Sequence, residues 1–124
     1  MDPPIRIVHC DDSPDLLLLV EHWFEDHPDL VVVASALGIR AAIELVELHK
    51  PDVVVTDTLG SPRDPSLLLW LHDAAPNAKL VIYSGYRPDQ LAPALTRLAD
   101  RIVTKTSDEL ELVAALRSLT AGGG

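Results

Sequence analysis

Apolar and polar positions follow two regimes along the chain. Short, mostly apolar and β-branched runs occupy residues 5–10, 30–35, 53–56, 79–84 and 101–104, and each closes on turn-forming or charged residues. Runs of that length read as strands, and those apolar throughout read as strands covered on both faces of a parallel sheet. Between them lie longer stretches whose apolar residues recur three and four apart, the spacing of a helix with one buried face.

The first such stretch opens with Ser13-Pro14-Asp15: Ser13 suits the N-cap, Pro14 the first helical position and Asp15 the positive end of the helix dipole. Leu16, Leu17, Val20, Trp23 and Phe24 form its buried face, and it is expected to stop near His27, before Pro28. A second helix is predicted over 38–50, with Ala42, Leu45, Val46 and Leu48 as its apolar positions, ended by Pro51. A third covers 66–75, with Leu67, Leu68, Trp70 and Leu71 as core material. A fourth runs over 88–98, with Pro93 inside it removing a hydrogen bond and kinking it. Ser107 is expected to cap a last helix that carries Leu110, Leu112, Val113, Leu116 and Leu119, and Ala121 to Gly124 end it.

Five strands alternating with five helices imply a parallel sheet, because parallel neighbours need helical crossovers. With right-handed crossovers the economical arrangement is a three-layer α/β fold, a doubly wound five-stranded parallel sheet in the order 2-1-3-4-5. One domain over residues 1–120 fits the length, with 121–124 as a tail or the start of a linker. A formal charge of −9 argues against nucleic-acid binding by this chain, which would need Lys and Arg to neutralise phosphates. No apolar run reaches the roughly 20 residues that cross a bilayer, and residues 1–6 do not read as a secretory signal, so the expected location is the cytoplasm. The single cysteine, Cys10, lies in an apolar run and reads as a buried, inert thiol. His9 and His49, in a strand and at a helix end, read as structural.

Candidate chemistry gathers at the strand ends. Asp11 and Asp12 follow the first strand, Asp57 the third, Ser84 ends the fourth and Lys105 follows the fifth. Each alone suits a cap, a turn or a solvated surface. In the 2-1-3-4-5 order, however, those four strands are neighbours, and their C-terminal ends form the rim where such sheets bind ligands. Three carboxylates so placed repel one another, at about 4 kcal/mol for a pair ~4 Å apart at an effective dielectric of roughly 20. Lys105 supplies one compensating charge, and a hard divalent ion that prefers oxygen, Mg2+, supplies the rest. A carboxylate nucleophile with a metal, a hydroxyl and an ammonium around it suits phosphoryl transfer to Asp57.

In these residues, and over essentially its whole length, the chain resembles the receiver domain of two-component response regulators, the CheY-like, flavodoxin-like fold. The start and the Gly-rich end are similar to receivers of the NarL/FixJ/LuxR type, which precede a helix-turn-helix output domain. The resemblance implies that Asp57 accepts phosphate from a histidine kinase and that Asp12 and the main-chain carbonyl of Leu59 join Asp57 on Mg2+. It also implies that Asp11 holds the metal's waters, that Lys105 pairs with the phosphate, and that Ser84 moves to contact it. An output domain or a second copy is then expected to meet the fourth helix, fifth strand and fifth helix, with no diffusible substrate turned over beyond slow self-dephosphorylation.

Some positions depart from the family pattern. Gly60-Ser61 and Asp64-Pro65 replace a Met-Pro pair and an Asp-Gly, Thr106 replaces a proline after the lysine, and Ile102 stands where an aromatic is expected. With no ring to swing on the fifth strand, the response is expected to pass through the loop from Gly85 to Pro88, with Tyr86 changing exposure. Two other readings stay open. One is a phosphohydrolase of the haloacid dehalogenase type, although Leu59 replaces its second Asp; the other is a receiver-like interaction domain that works without phosphate.

Overall fold

The computed structural model describes residues 3–106 and 108–120. Strands β1 (Ile5–Cys10), β2 (Leu30–Ala36), β3 (Val53–Thr56), β4 (Lys79–Ser84) and β5 (Arg101–Thr104) form one sheet in the order β2-β1-β3-β4-β5, every neighbouring pair parallel. The crossovers carry helices α1 (Pro14–Phe24), α2 (Ile39–His49), α3 (Ser66–Ala74) and α4 (Pro93–Leu98), and α5 (Glu109–Thr120) follows the last strand. This is the expected doubly wound sheet.

Alternation along each strand divides the core in two. Ile7, Val53, Val55, Val81, Tyr83 and Val103 pack against α1 through Val20 and Phe24 and against α5 through Leu112, Val113 and Leu116. The intervening residues Val8, Cys10, Val54, Leu80 and Ile82 face Ala42 and Val46 of α2, Leu68 and Leu71 of α3, and Leu95 of α4. Asp11, Asp57 and Lys105 continue the first series past the strand ends, which puts the charged residues above the α1/α5 half of the core. Ser84 continues the second.

Several local expectations are corrected. Helix α1 ends at Phe24, with Glu25 as C-cap, and does not run on to His27. Trp70, Leu48 and Leu110 are exposed, not core. Each lies two residues, about 200° around a helix, from a buried position, namely Leu68, Val46 and Leu112. The predicted 88–98 helix is two pieces, a 3-10 turn at Pro88–Gln90 and then α4. Pro93 does not kink a continuous helix; it starts a new one at a first-turn position, where its missing N–H costs nothing. Ser107 and the tail at 121–124 lie outside the described residues.

Candidate phosphoryl and metal site

Local structure fixes each charged side chain. The main-chain N–H of Asp11 donates to Ala36 O at 3.0 Å, tying the end of β1 to β2. Asp11 Oδ1 accepts the Ser13 N–H at 2.9 Å, and the Ser13 hydroxyl in turn accepts the Leu16 N–H, so one carboxylate oxygen is spent on anchoring the start of α1. The main-chain N–H of Asp57 donates to Cys10 O at 3.2 Å, and Asp57 Oδ1 accepts the Leu59 N–H at 2.8 Å. That second bond holds Leu59 in the left-handed region, φ 57°, a conformation that costs a non-glycine residue roughly 1–2 kcal/mol. Lys105 is positioned by its own N–H, which donates to Ser84 O at 2.8 Å.

The three carboxylates converge. Asp11, Asp12 and Asp57 each offer an oxygen, all within 4.8 Å of one another, with Asp11 buried, Asp12 exposed and Asp57 between. The Lys105 ammonium lies 2.7 Å from Asp11 Oδ2 and 3.8 Å from Asp57 Oδ2. Asp11 Oδ2, although in ionic contact with the ammonium, accepts no directed hydrogen bond. An all-oxygen donor set with an unsatisfied buried carboxylate oxygen fits a hard divalent ion such as Mg2+. Burial, and after it the charge of Asp11, pushes the Asp57 carboxyl up to about 6, while the Leu59 N–H and Lys105 pull the other way. The Cys10 thiol is pushed up to about 12, first by burial and then by Asp57, consistent with an inert side chain.

Ser84 is close in the fold but not engaged with the cluster. Its hydroxyl accepts the Tyr86 N–H at 3.0 Å, and Tyr86 is 40% exposed. Ile102 is partly buried against the α3/α4 half of the core. His49 lies in the last turn of α2, away from the strand ends.

His9 has a more demanding position than its structural reading suggested. It is 0% exposed, neither ring nitrogen has a hydrogen-bond partner among the described residues, and it lies on β1 two residues before Asp11. Burial is the main reason its ring is held down to about 4; Asp11 opposes that shift and Lys105 adds to it. The odd-numbered series Ile7, His9, Asp11 is the signal in the sequence that places it beneath the carboxylates.

Comparison with known proteins agrees with this geometry. A family model described as Response regulator receiver domain matches residues 7–117. The chain is 25% identical over 116 residues to the response regulator protein VraR of Staphylococcus saprophyticus, covering 92% of this chain and 56% of that one. It is 43% identical over 54 residues to a protein-glutamate methylesterase/protein-glutamine glutaminase of Nitrobacter winogradskyi, but that match covers only 44% of this chain and 13% of the relative's length. Among solved structures, a LuxR-family two-component response regulator from Aurantimonas sp. SI85-9A1 superposes with a TM-score of 0.80 at 29% identity, covering 96% of this chain and 86% of that one.

Proposed function

The chain belongs to the response regulator receiver domain family, and from that premise we propose that Asp57 accepts a phosphoryl group from a histidine kinase in a Mg2+-dependent reaction. The observation that carries this reading is the convergence of three carboxylates within 4.8 Å beside one ammonium, at the C-terminal rim of the sheet. An Asp57 carboxylate oxygen attacks phosphorus, the bond from phosphorus to the kinase imidazole nitrogen breaks, and the nitrogen keeps the electron pair. The product is an acyl phosphate. Asp12, Asp57 and the Leu59 carbonyl would hold the metal directly, and Asp11 would hold its waters. Bound there, Mg2+ supplies neutralisation of the charge on the phosphoryl oxygens.

The residues of the chain do the rest. Lys105, already placed between Asp11 and Asp57, offers its ammonium to a phosphoryl oxygen. Ser84, whose hydroxyl oxygen accepts the Tyr86 N–H, has its own O–H to donate to the phosphate. The Asp57 carboxyl, at about 6, is mostly ionised at neutral pH and so available as nucleophile. The protein acts as a phosphorylation-controlled signalling module in the cytoplasm, with at most slow self-dephosphorylation, and α4, β5 and α5 meet an output domain or a second copy. No helix among the described residues is long and apolar enough to cross a membrane. The strong negative charge leaves DNA contact to other chains or domains.

Incubation with acetyl phosphate and Mg2+ should add one phosphate by intact mass, and Asp57→Asn should add none. Full labelling of that variant overturns the assignment. Absence of labelling in the unaltered chain favours an interaction domain that works without phosphate, and continuous release of inorganic phosphate favours a phosphohydrolase.

A further inference from the structure

Among the described residues, three buried side-chain polar atoms have no hydrogen-bond partner, and all three belong to one pair: both ring nitrogens of His9 and Oδ2 of Asp11. Both residues are 0% exposed. The backbone of His9 lies inside the sheet, opposite Ser35 of β2 and Val55 of β3, and the bond from the Asp11 N–H to Ala36 O carries the ladder one residue past the end of β1. Residues two apart on extended backbone turn to the same side and are separated by roughly 6.6 Å, a gap that an imidazole and a carboxylate can close between them. Of the charges that act on the ring, Asp11 acts most strongly and Lys105 next. In the resting chain Asp11 does not call on a further donor, because Oδ1 is taken by the Ser13 N–H and Oδ2 lies 2.7 Å from the Lys105 ammonium.

We propose that His9 is a positioning residue for Asp11: when the Lys105 ammonium turns to a phosphoryl group on Asp57, a His9 ring N–H becomes the donor to Asp11 Oδ2. This rests on Asp57 being the phosphoacceptor. A lysine drawn to the phosphoryl group leaves a buried carboxylate oxygen without its counter-charge. Mg2+, which Asp11 meets only through water, can serve one of the two lone pairs of Oδ2 through such a water and leaves the other open. The imidazole carries one N–H in its neutral form, and burial keeps the ring in that form at neutral pH. The new bond holds the Asp11 carboxylate toward the metal's waters. His9 therefore stabilises the phosphorylated state and not the resting one.

Nitrogen-15 labelling of the histidine rings in the full chain tests this directly, the His9 signal being the one lost in His9→Leu. Spectra are recorded with Mg2+ alone and with Mg2+ and beryllofluoride, which stands in for the phosphoryl group. With beryllofluoride the His9 ring proton should move downfield and exchange with water about tenfold more slowly, the effect of a hydrogen bond to a charged group. An unchanged ring signal while the main-chain amides of 57–59 shift overturns the proposal, whereas silence at those amides overturns the phosphoacceptor reading beneath it. Lys105→Met should show the downfield ring proton without beryllofluoride, and its absence there overturns the proposal whatever Asp57 does. Affinity separates this role from packing. His9→Leu removes the donor and should bind beryllofluoride about tenfold more weakly with no loss of resting stability, while His9→Gln, which keeps a donor, should bind it nearly as the unaltered chain does. Equal affinity in His9→Leu, or a weakening that His9→Gln does not restore, overturns the proposal. If His9→Gln does not fold, the ring signal of the unaltered chain decides.

Discussion

Lys105 sits closer to Asp11 than to Asp57, 2.7 Å against 3.8 Å. Asp11 is fully buried and the lysine side chain is 27% exposed, so the ammonium is the main compensation for a charge that water cannot reach. Removing one partner of a buried pair costs about 3–5 kcal/mol. Partial exposure of the lysine places Lys105→Met near the lower end, about 3 kcal/mol, in urea titrations without Mg2+. Saturating Mg2+ should recover most of that loss. A cost under ~1 kcal/mol, the range of surface pairs, would mean that Asp11 is compensated by something else.

Asp12 is the exposed member of the cluster and, among the described residues, has no hydrogen bond or ion pair to lose. Asp12→Ala should therefore change metal-free stability by no more than about 0.5 kcal/mol. Its effect should appear with metal. At 100 times its dissociation constant, Mg2+ stabilises the folded chain by roughly 2.7 kcal/mol, and the variant should lose most of this in thermal melts. A full Mg2+ response in Asp12→Ala would place the ion elsewhere.

The β-branched run at 53–56 and the polar residues at strand ends were enough to infer the sheet order and the gathering of Asp11, Asp12, Asp57 and Lys105, because both follow from period and topology. What the sequence hid was decided within single helical turns. Trp70 reads as core by its chemistry, yet α3 buries Leu68 and Leu71, and Trp70 lies about 200° around the helix from Leu68. Pro93 reads as a kink inside one helix, and only the extended backbone at Leu91 and Ala92 shows that it starts a new one. The preference of Lys105 for Asp11 depends on side-chain direction, which period alone does not give.

His9 makes a different prediction. Both ring nitrogens are buried without a partner among the described residues, and an unsatisfied buried polar group costs about 1–3 kcal/mol. Replacing it by an apolar side chain of similar volume removes that cost, so His9→Leu should be more stable than the unaltered chain at pH 8, by ~1 kcal/mol after repacking. A clear loss of stability at pH 8 would show that the imidazole has a polar partner worth keeping.

Asp57 and His9 give opposite pH dependences. Asp57 titrates at about 6 in the folded chain against 3.8 as a free carboxyl. Between those values the folded state holds a proton that the unfolded state lacks, so stability falls as pH rises through the window. A shift of about two units amounts to roughly 3 kcal/mol. His9 titrates at about 4 when folded against 6.5 unfolded. There the unfolded state binds the extra proton, so stability falls as pH drops from 6.5 to 4, again by roughly 3 kcal/mol. In the unaltered chain the two slopes largely cancel. Single variants separate them in urea titrations from pH 4 to 8 with a chelator present to exclude metal. Asp57→Asn, which keeps an oxygen for the Leu59 N–H, should exceed the unaltered chain most above pH 6 and lose its advantage by pH 4. His9→Leu should show the reverse, with its advantage growing as pH falls. A difference curve for Asp57→Asn that is flat between pH 4 and 6.5 would show that burial and Asp11 do not raise this carboxyl, and the electrostatic account of the site would fail with it.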